Sequence, residues 1–72
     1  MNKENTRLVE LRKQFNLTQD QLAEKVGVTQ SAIAFYEAGT KDPGKLIKIK
    51  LAKVFGVTVE YLFYELYYDV KS

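Results

Sequence analysis

The sequence predicts an all-α fold, a compact five-helix bundle in a single domain spanning residues 1–72. Three observations carry this. Gly27, Gly39, Pro43, Gly44 and Gly56 break the chain at intervals of a short helix. Between them, apolar residues recur at helical spacing and strand-like alternation is not sustained. With 72 residues, 46% of them hydrophobic, the chain has enough apolar material for one small core and no more. The core is expected over about residues 6–63, followed by an aromatic tail over 64–72.

The first helix runs from about Thr6 to Phe15, where Leu8, Leu11 and Phe15 fall at i, i+3 and i+7 on one face. Leu17 lies in a brief connection. Thr18, with Gln21 three residues on, forms a capping box that opens the second helix. Leu22, Ala23 and Val26 give that helix its apolar face, and Gly27 ends it. Thr29 caps a third helix, with Ile33 and Tyr36 directed inward and Gly39 as its stop. Asp42-Pro43-Gly44 is a turn that launches a fourth helix over about 45–55. The stretch Lys45 to Leu51 alternates like a strand, but Ile47, Leu51 and Val54/Phe55 keep helical spacing, and the helix is preferred. Gly56 ends it and Thr58 caps a fifth.

Composition excludes several classes of function. Without cysteine there is no disulfide and no thiolate zinc site, and without histidine the usual general base and commonest metal ligand are gone. There is no glycine-rich phosphate loop and no pair of carboxylates suited to a cleft. Glu65 and Asp69, at i and i+4, read as a solvated helix face. The chain is therefore not expected to be an enzyme, and no metal or cofactor is expected. The polar start Met1-Asn2-Lys3-Glu4-Asn5 has no apolar signal region, and the apolar runs are too short to span a membrane. A chain free of disulfides suits a reducing cytoplasm. The net charge is only +2, but Lys41, Lys45, Lys48, Lys50 and Lys53 face Asp42 alone within residues 41–53. On charge alone these lysines read as a solvated helix face.

The most specific pattern lies between Gln19 and Gly39. Two short helices joined by a three-residue turn must cross steeply. That requires a small residue at the contact, a glycine in the turn and a branched apolar residue opposite. Counting from Gln19, Ala23 is fifth, Gly27 ninth and Ile33 fifteenth, the spacing of a helix-turn-helix. Leu22, Val28 and Tyr36 supply the remaining packing.

The stretch Leu17-Thr18-Gln19-Asp20-Gln21-Leu22-Ala23-Glu24-Lys25-Val26-Gly27-Val28-Thr29-Gln30-Ser31, with Ile33, Tyr36-Glu37 and Gly39, resembles the Cro and lambda-repressor-like family of the xenobiotic-response-element type. The resemblance covers about residues 6–63. It implies a lambda-repressor-like bundle that binds operator DNA, usually as a dimer, with the third helix in the major groove. It places Gln30, Ser31 and Phe35 against base edges. Gln19 matches a phosphate contact that buttresses the recognition helix, and Thr40 and Lys41 match a phosphate-contacting loop. Arg12 and Glu37 match a basic–acidic pair that ties the first helix to the third. Elementary chemistry agrees with much of this. A glutamine amide can pair with adenine N6 and N7. Phosphates sit well at helix N-termini near Gln19 and Thr29. An outward Phe35 is costly in water unless a thymine methyl covers it.

The sequence departs from the family pattern in two places. Ala32, Ala34, Phe35 and Ala38 leave the recognition helix poor in polar groups. Lys45 and Lys48 stand where apolar residues are usual, so the fourth helix is expected to shift slightly or to line a phosphate path. The resulting expectation is a bacterial or phage-encoded transcriptional regulator, a repressor on a palindromic operator, with double-stranded DNA as partner and no small-molecule effector. The alternative is an antitoxin-like or protein-interaction module. In the tail, Tyr61, Tyr64 and Tyr68 form an apolar stripe beside that of Leu62 or Phe63, Leu66 and Val70, more than one small bundle covers, and are assigned to a homodimer interface.

Overall fold

Most helices in this protein start at a short polar side chain that holds an orphan backbone N–H, and most stop where the backbone turns left-handed. The computed structural model describes residues 4–65. Four α-helices follow in order: α1 (Thr6–Gln14), α2 (Gln19–Val26), α3 (Gln30–Ala38) and α4 (Lys45–Phe55). A fifth helix, α5 (Glu60–Tyr64), is wound as a π-helix, and Glu65 N–H reaches back to Glu60 O. There is no strand among the described residues. The stretch Lys45 to Leu51 is helical, because Leu51, Ala52 and Phe55 are buried at helical spacing.

The capping follows from side-chain chemistry. Thr18 Oγ1 accepts from Gln21 N–H at 3.0 Å, and Gln21 Oε1 accepts from Thr18 N–H at 2.9 Å, a complete capping box. Thr29 and Thr58 hydroxyls accept from Ala32 N–H and Tyr61 N–H. Between α2 and α3, Gly27 sits at φ +77°. Space for a Cβ is open there, so the demand for glycine is the backbone conformation alone. α1 ends without glycine. Asn16 takes φ +58° instead, a conformation Asn tolerates better than most residues.

One core joins all five helices: Leu8 from α1, Leu22, Ala23 and Val26 from α2, Ile33 from α3, Leu51 and Phe55 from α4, and Leu62 and Phe63 from α5. Each large side chain buried here contributes roughly 1.5–3 kcal/mol relative to exposure. α2 and α3 make the densest contact, with Ala23 at 2% exposure allowing close approach. Phe15 packs edge-on against Phe55, with ring centroids 5.1 Å apart, and so seals one end of the core.

Three polar residues are buried among the described residues: Asn5, Glu37 and Lys48. Asn5 is buried, although it precedes the first helix. Its Oδ1 accepts from Leu8 N–H at 3.0 Å, its Nδ2 donates to Leu62 O at 3.0 Å, and its backbone N–H donates to Glu37 O at 2.9 Å. It thereby joins the start of α1 to the C-terminal end of α3 and to the middle of α5. Lys48 corrects the expectation of a uniformly solvated lysine face. Lys45, Lys50 and Lys53 are exposed, but Lys48 is buried. Its Nζ donates to Tyr64 Oη at 2.9 Å, lies 3.0 Å from Asp42 Oδ2, and stands 4.7 Å and 5.5 Å from the centroids of the Tyr64 and Phe63 rings. The long aliphatic stem fills an apolar position while the ammonium reaches polar partners at the rim. An apolar position thus accepts lysine.

Burial opposes the Lys48 charge, but the hydrogen bond from Lys48 to Tyr64 and the nearby Asp42 outweigh it, so its pKa is raised above 10.5. A group raised on folding stabilises the native state fully below its unfolded pKa, and the contribution fades as pH rises through the folded value. Urea midpoints of wild type and Lys48→Met are therefore expected to differ by a constant amount between pH 6 and pH 9. The difference should move against the wild type above about pH 10.5. A gap that stays constant through pH 11.5 would show that the ammonium is not coupled to folding.

Candidate nucleic-acid interface

The exposed ridge of α3 is built from its N-terminal turn and the side opposite Ile33. Gln30, Ser31 and Phe35 are exposed there, while Ile33 and Glu37 are buried beneath. α2 holds this ridge from one side and the loop after Gly39 from the other.

A connected series of hydrogen bonds runs from the interior to the ridge. Arg12 on α1 donates through Nε to Glu37 Oε2 at 2.6 Å and through Nη2 to Oε1 at 3.3 Å. Its Nη1 donates to Leu17 O at 2.9 Å, so the guanidinium also pins the α1–α2 connection. Both side chains of the pair are largely withdrawn from water, at 13% and 7% exposure. Glu37 Oε1 also accepts from Gln19 Nε2 at 2.9 Å. Gln19 Oε1 in turn accepts from Gln30 Nε2 at 2.6 Å. Arg12, Glu37, Gln19 and Gln30 therefore form one unit spanning α1, α3 and α2.

The structure brings the remaining ridge residues together in a second group. Thr40 Oγ1 donates to Phe35 O at 3.3 Å, and the Thr40 and Lys41 N–H groups donate to the same carbonyl. Lys41 Nζ stands 4.7 Å from the Phe35 ring centroid. The outward phenyl, 41% exposed, is thus partly covered by the protein's own cation, a cover the sequence did not reveal. Thr29 Oγ1 accepts from Ala32 N–H and keeps its own proton to donate. Thr29 and Gln30 border a shallow groove that also includes Asp20 and Glu24.

The arrangement offers an amide edge with a free acceptor and a remaining N–H, a hydroxyl, a half-covered aromatic ring, and a flanking ammonium. That set can address base edges in a major groove and the phosphates beside it. Sequence reasoning missed two parts. Asn5 could have been found from its place three residues before Leu8, a helix-start pattern. The joining of Gln19 to both Glu37 and Gln30 had no local signal, since the partners lie 18 and 11 positions away.

On the tail side, Tyr61 and Tyr64 are 39% and 43% exposed, while Leu62 and Phe63 are buried. Tyr68, Leu66 and Val70 lie outside the described residues. Arg7 lies 4.2 Å from the Tyr61 ring centroid and donates to Tyr61 O. Ile49 and Tyr64 border one shallow groove with Pro43 and Val59, and Leu46 is exposed on the same helix as Ile49.

A family model described as Helix-turn-helix matches residues 8–62. A protein of Archaeoglobus fulgidus named as an uncharacterized HTH-type transcriptional regulator is 41% identical over 58 residues, covering 81% of this chain and 82% of its own. The P22 c2 repressor, solved in complex with a synthetic operator, superposes with a TM-score of 0.80 at 27% identity over 83% of this chain and 91% of that one. The restriction-modification controller protein C.AhdI from Aeromonas hydrophila gives a TM-score of 0.74 at 30% identity over 82% and 89% of the two chains.

The buried ion pair generates a stability prediction. Arg12→Ala leaves the Glu37 carboxylate withdrawn from water with Gln19 as its remaining side-chain partner. The expected loss is about 3–5 kcal/mol, enough to unfold much of a domain this small. Thermal melts followed by circular dichroism test it, and an unchanged midpoint would show that the pair is not a structural requirement.

Proposed function

The chain belongs to this helix-turn-helix family and is a DNA-binding transcriptional regulator, and from that premise we propose that it is a repressor occupying a palindromic operator as a homodimer. The observation that carries the reading is the Gln30 amide, exposed at the N-terminal turn of α3 and fixed by Gln19. α3 enters the major groove, Gln30 and Ser31 meet base edges, and Phe35 faces a thymine methyl beside Lys41. Gln19, Thr29, Thr40 and Lys41 meet phosphates. Repression follows from occupying a site that overlaps a promoter, in the cytoplasm of a bacterial or phage-infected cell. The P22 c2 repressor solved with its synthetic operator supports this by fold.

The homodimer rests on the exposed Tyr61 and Tyr64, with Leu46 and Ile49 exposed on α4, since exposed apolar patches mark interfaces. Tyrosine suits such an interface because the ring packs while the hydroxyl keeps a polar partner, as Tyr64 does with Lys48. A two-fold pairing sets the two α3 helices roughly 34 Å apart, one turn of DNA.

Binding to duplexes selected from a random pool tests base reading. Gln30→Ala is expected to lose about 1–3 kcal/mol on the best site and to relax preference at one position per half-site. Lys41→Ala is expected to weaken all sequences alike and to lower the salt slope by about 1. An unaltered preference in Gln30→Ala would remove that residue from base reading. Sedimentation tests assembly. The full chain is expected to dimerise at tens of micromolar, and a folded Tyr61→Lys/Tyr64→Lys variant to be monomeric with weakened operator binding. A monomeric wild type would sink the homodimer, and a dimer indifferent to both changes would move the interface elsewhere.

A further inference from the structure

We infer that buried Glu37 is a specificity-determining positioning residue, which selects adenine over guanine at the base pair read by Gln30 by fixing the direction of a hydrogen-bond relay. The inference rests on the reading of Gln30 as a base contact and says what dictates its preference.

The argument is one of donor and acceptor inventory. A guanidinium has only donors, and an ionised carboxylate has only acceptors. Arg12 therefore commits both Glu37 oxygens to accepting, at 2.6 and 3.3 Å. The Gln19 atom that faces Glu37 Oε1 at 2.9 Å must then be the nitrogen. A primary amide with its nitrogen turned inward presents its oxygen on the other side. Gln30 must meet that oxygen with its own nitrogen, as it does at 2.6 Å. Every donor in the series points the same way, from the ridge or from α1 toward the carboxylate. Gln30 is left with its Oε1 and one hydrogen of Nε2. An adjacent acceptor and donor match adenine, which offers the N6 amino group and N7. They mismatch guanine, whose O6 and N7 both accept. Neither Gln19 nor Gln30 could hold this orientation alone, because an unrestrained amide turns over at little cost.

The relay predicts the effect of reversing its origin. In Glu37→Gln the shape is kept, but the new side chain has one acceptor and one donor group. Arg12 claims the oxygen, so the nitrogen faces Gln19. The Gln19 amide then turns over, presents its nitrogen to Gln30, and draws the Gln30 oxygen inward. Gln30 is left with two outward hydrogens and no acceptor, an edge suited to guanine.

The test measures base preference of the full-length chain on its selected duplex, with each position varied among the four base pairs. The wild type is expected to favour adenine over guanine by roughly tenfold or more at one position per half-site, the scale of a good bidentate contact. Glu37→Gln is expected to erase or invert that ratio at this position only. The double variant Glu37→Gln/Gln30→Ala should show no preference there. A variant that merely weakened packing would lower affinity at all sites without exchanging one base for another. If Glu37→Gln is unfolded at the assay temperature, Gln19→Leu replaces it. This change leaves the Arg12–Glu37 pair intact and frees Gln30, and it is expected to bring the adenine and guanine sites within about twofold. An adenine preference that Gln30→Ala abolishes but Glu37→Gln or Gln19→Leu leaves at its wild-type ratio would overturn the inference while leaving Gln30 a base reader. A preference untouched by Gln30→Ala would remove the base reading itself, and the inference with it.

Discussion

The contact between Arg12 and Glu37 is the constraint on which the rest of the molecule depends. A carboxylate at 7% exposure is costly unless it is both paired and hydrogen-bonded. Glu37 meets that condition only when α1, α2 and α3 are all in place, because Arg12 comes from the first, Gln19 from the second and Glu37 from the third. Arg12 also holds the Leu17 carbonyl, which fixes the connection by which α2 leaves α1. The pair therefore acts less as a source of net stability than as a condition on geometry, since an incorrect helix arrangement leaves a buried charge without partners.

The apolar core supplies the attraction that this condition directs. Leu8, Leu22, Ile33, Leu51 and Leu62 are fully withdrawn from water and draw one residue or more from every helix. Such packing tolerates some sliding of helices. The polar contacts do not, because hydrogen bonds fail within fractions of an ångström. Asn5 has a similar function at the same C-terminal end of α3, where it joins the Glu37 carbonyl and the Leu62 carbonyl through two donors. Lys48 closes the α4–α5 side with Asp42 and Tyr64. A domain of 72 residues without disulfides thus sets its helix positions with three polar clasps around a single core.

The ridge of α3 inherits its rigidity from this arrangement. Gln30 is exposed, yet its amide is the outer end of a series anchored in the interior. Phe35 is outward, yet Lys41 and the Thr40 loop lie against its end of the helix. The exposed residues of the ridge are held by residues withdrawn from water beneath it. The ridge is therefore held in place by its neighbours, although α3 itself carries few polar side chains.

Local chemistry in the sequence determined the helices. Thr18, Thr29 and Thr58 mark starts, Gly27, Gly39 and Gly56 mark ends, and each acts over three or four residues, a range at which composition alone decides. The spacing of Ala23, Gly27 and Ile33 likewise revealed the close α2–α3 packing, because a small contact residue and a left-handed turn permit it. The tertiary structure alone decided which polar residues became interior. Lys48 resembles Lys45 and Lys50 in sequence, and only the approach of Tyr64 and Asp42 gives its ammonium partners. The π winding of α5, the burial of Asn5 and the direction of the Gln30 amide were also illegible. Each depends on groups from distant segments meeting with the right donor opposite the right acceptor, and no spacing along the chain records which partner will arrive.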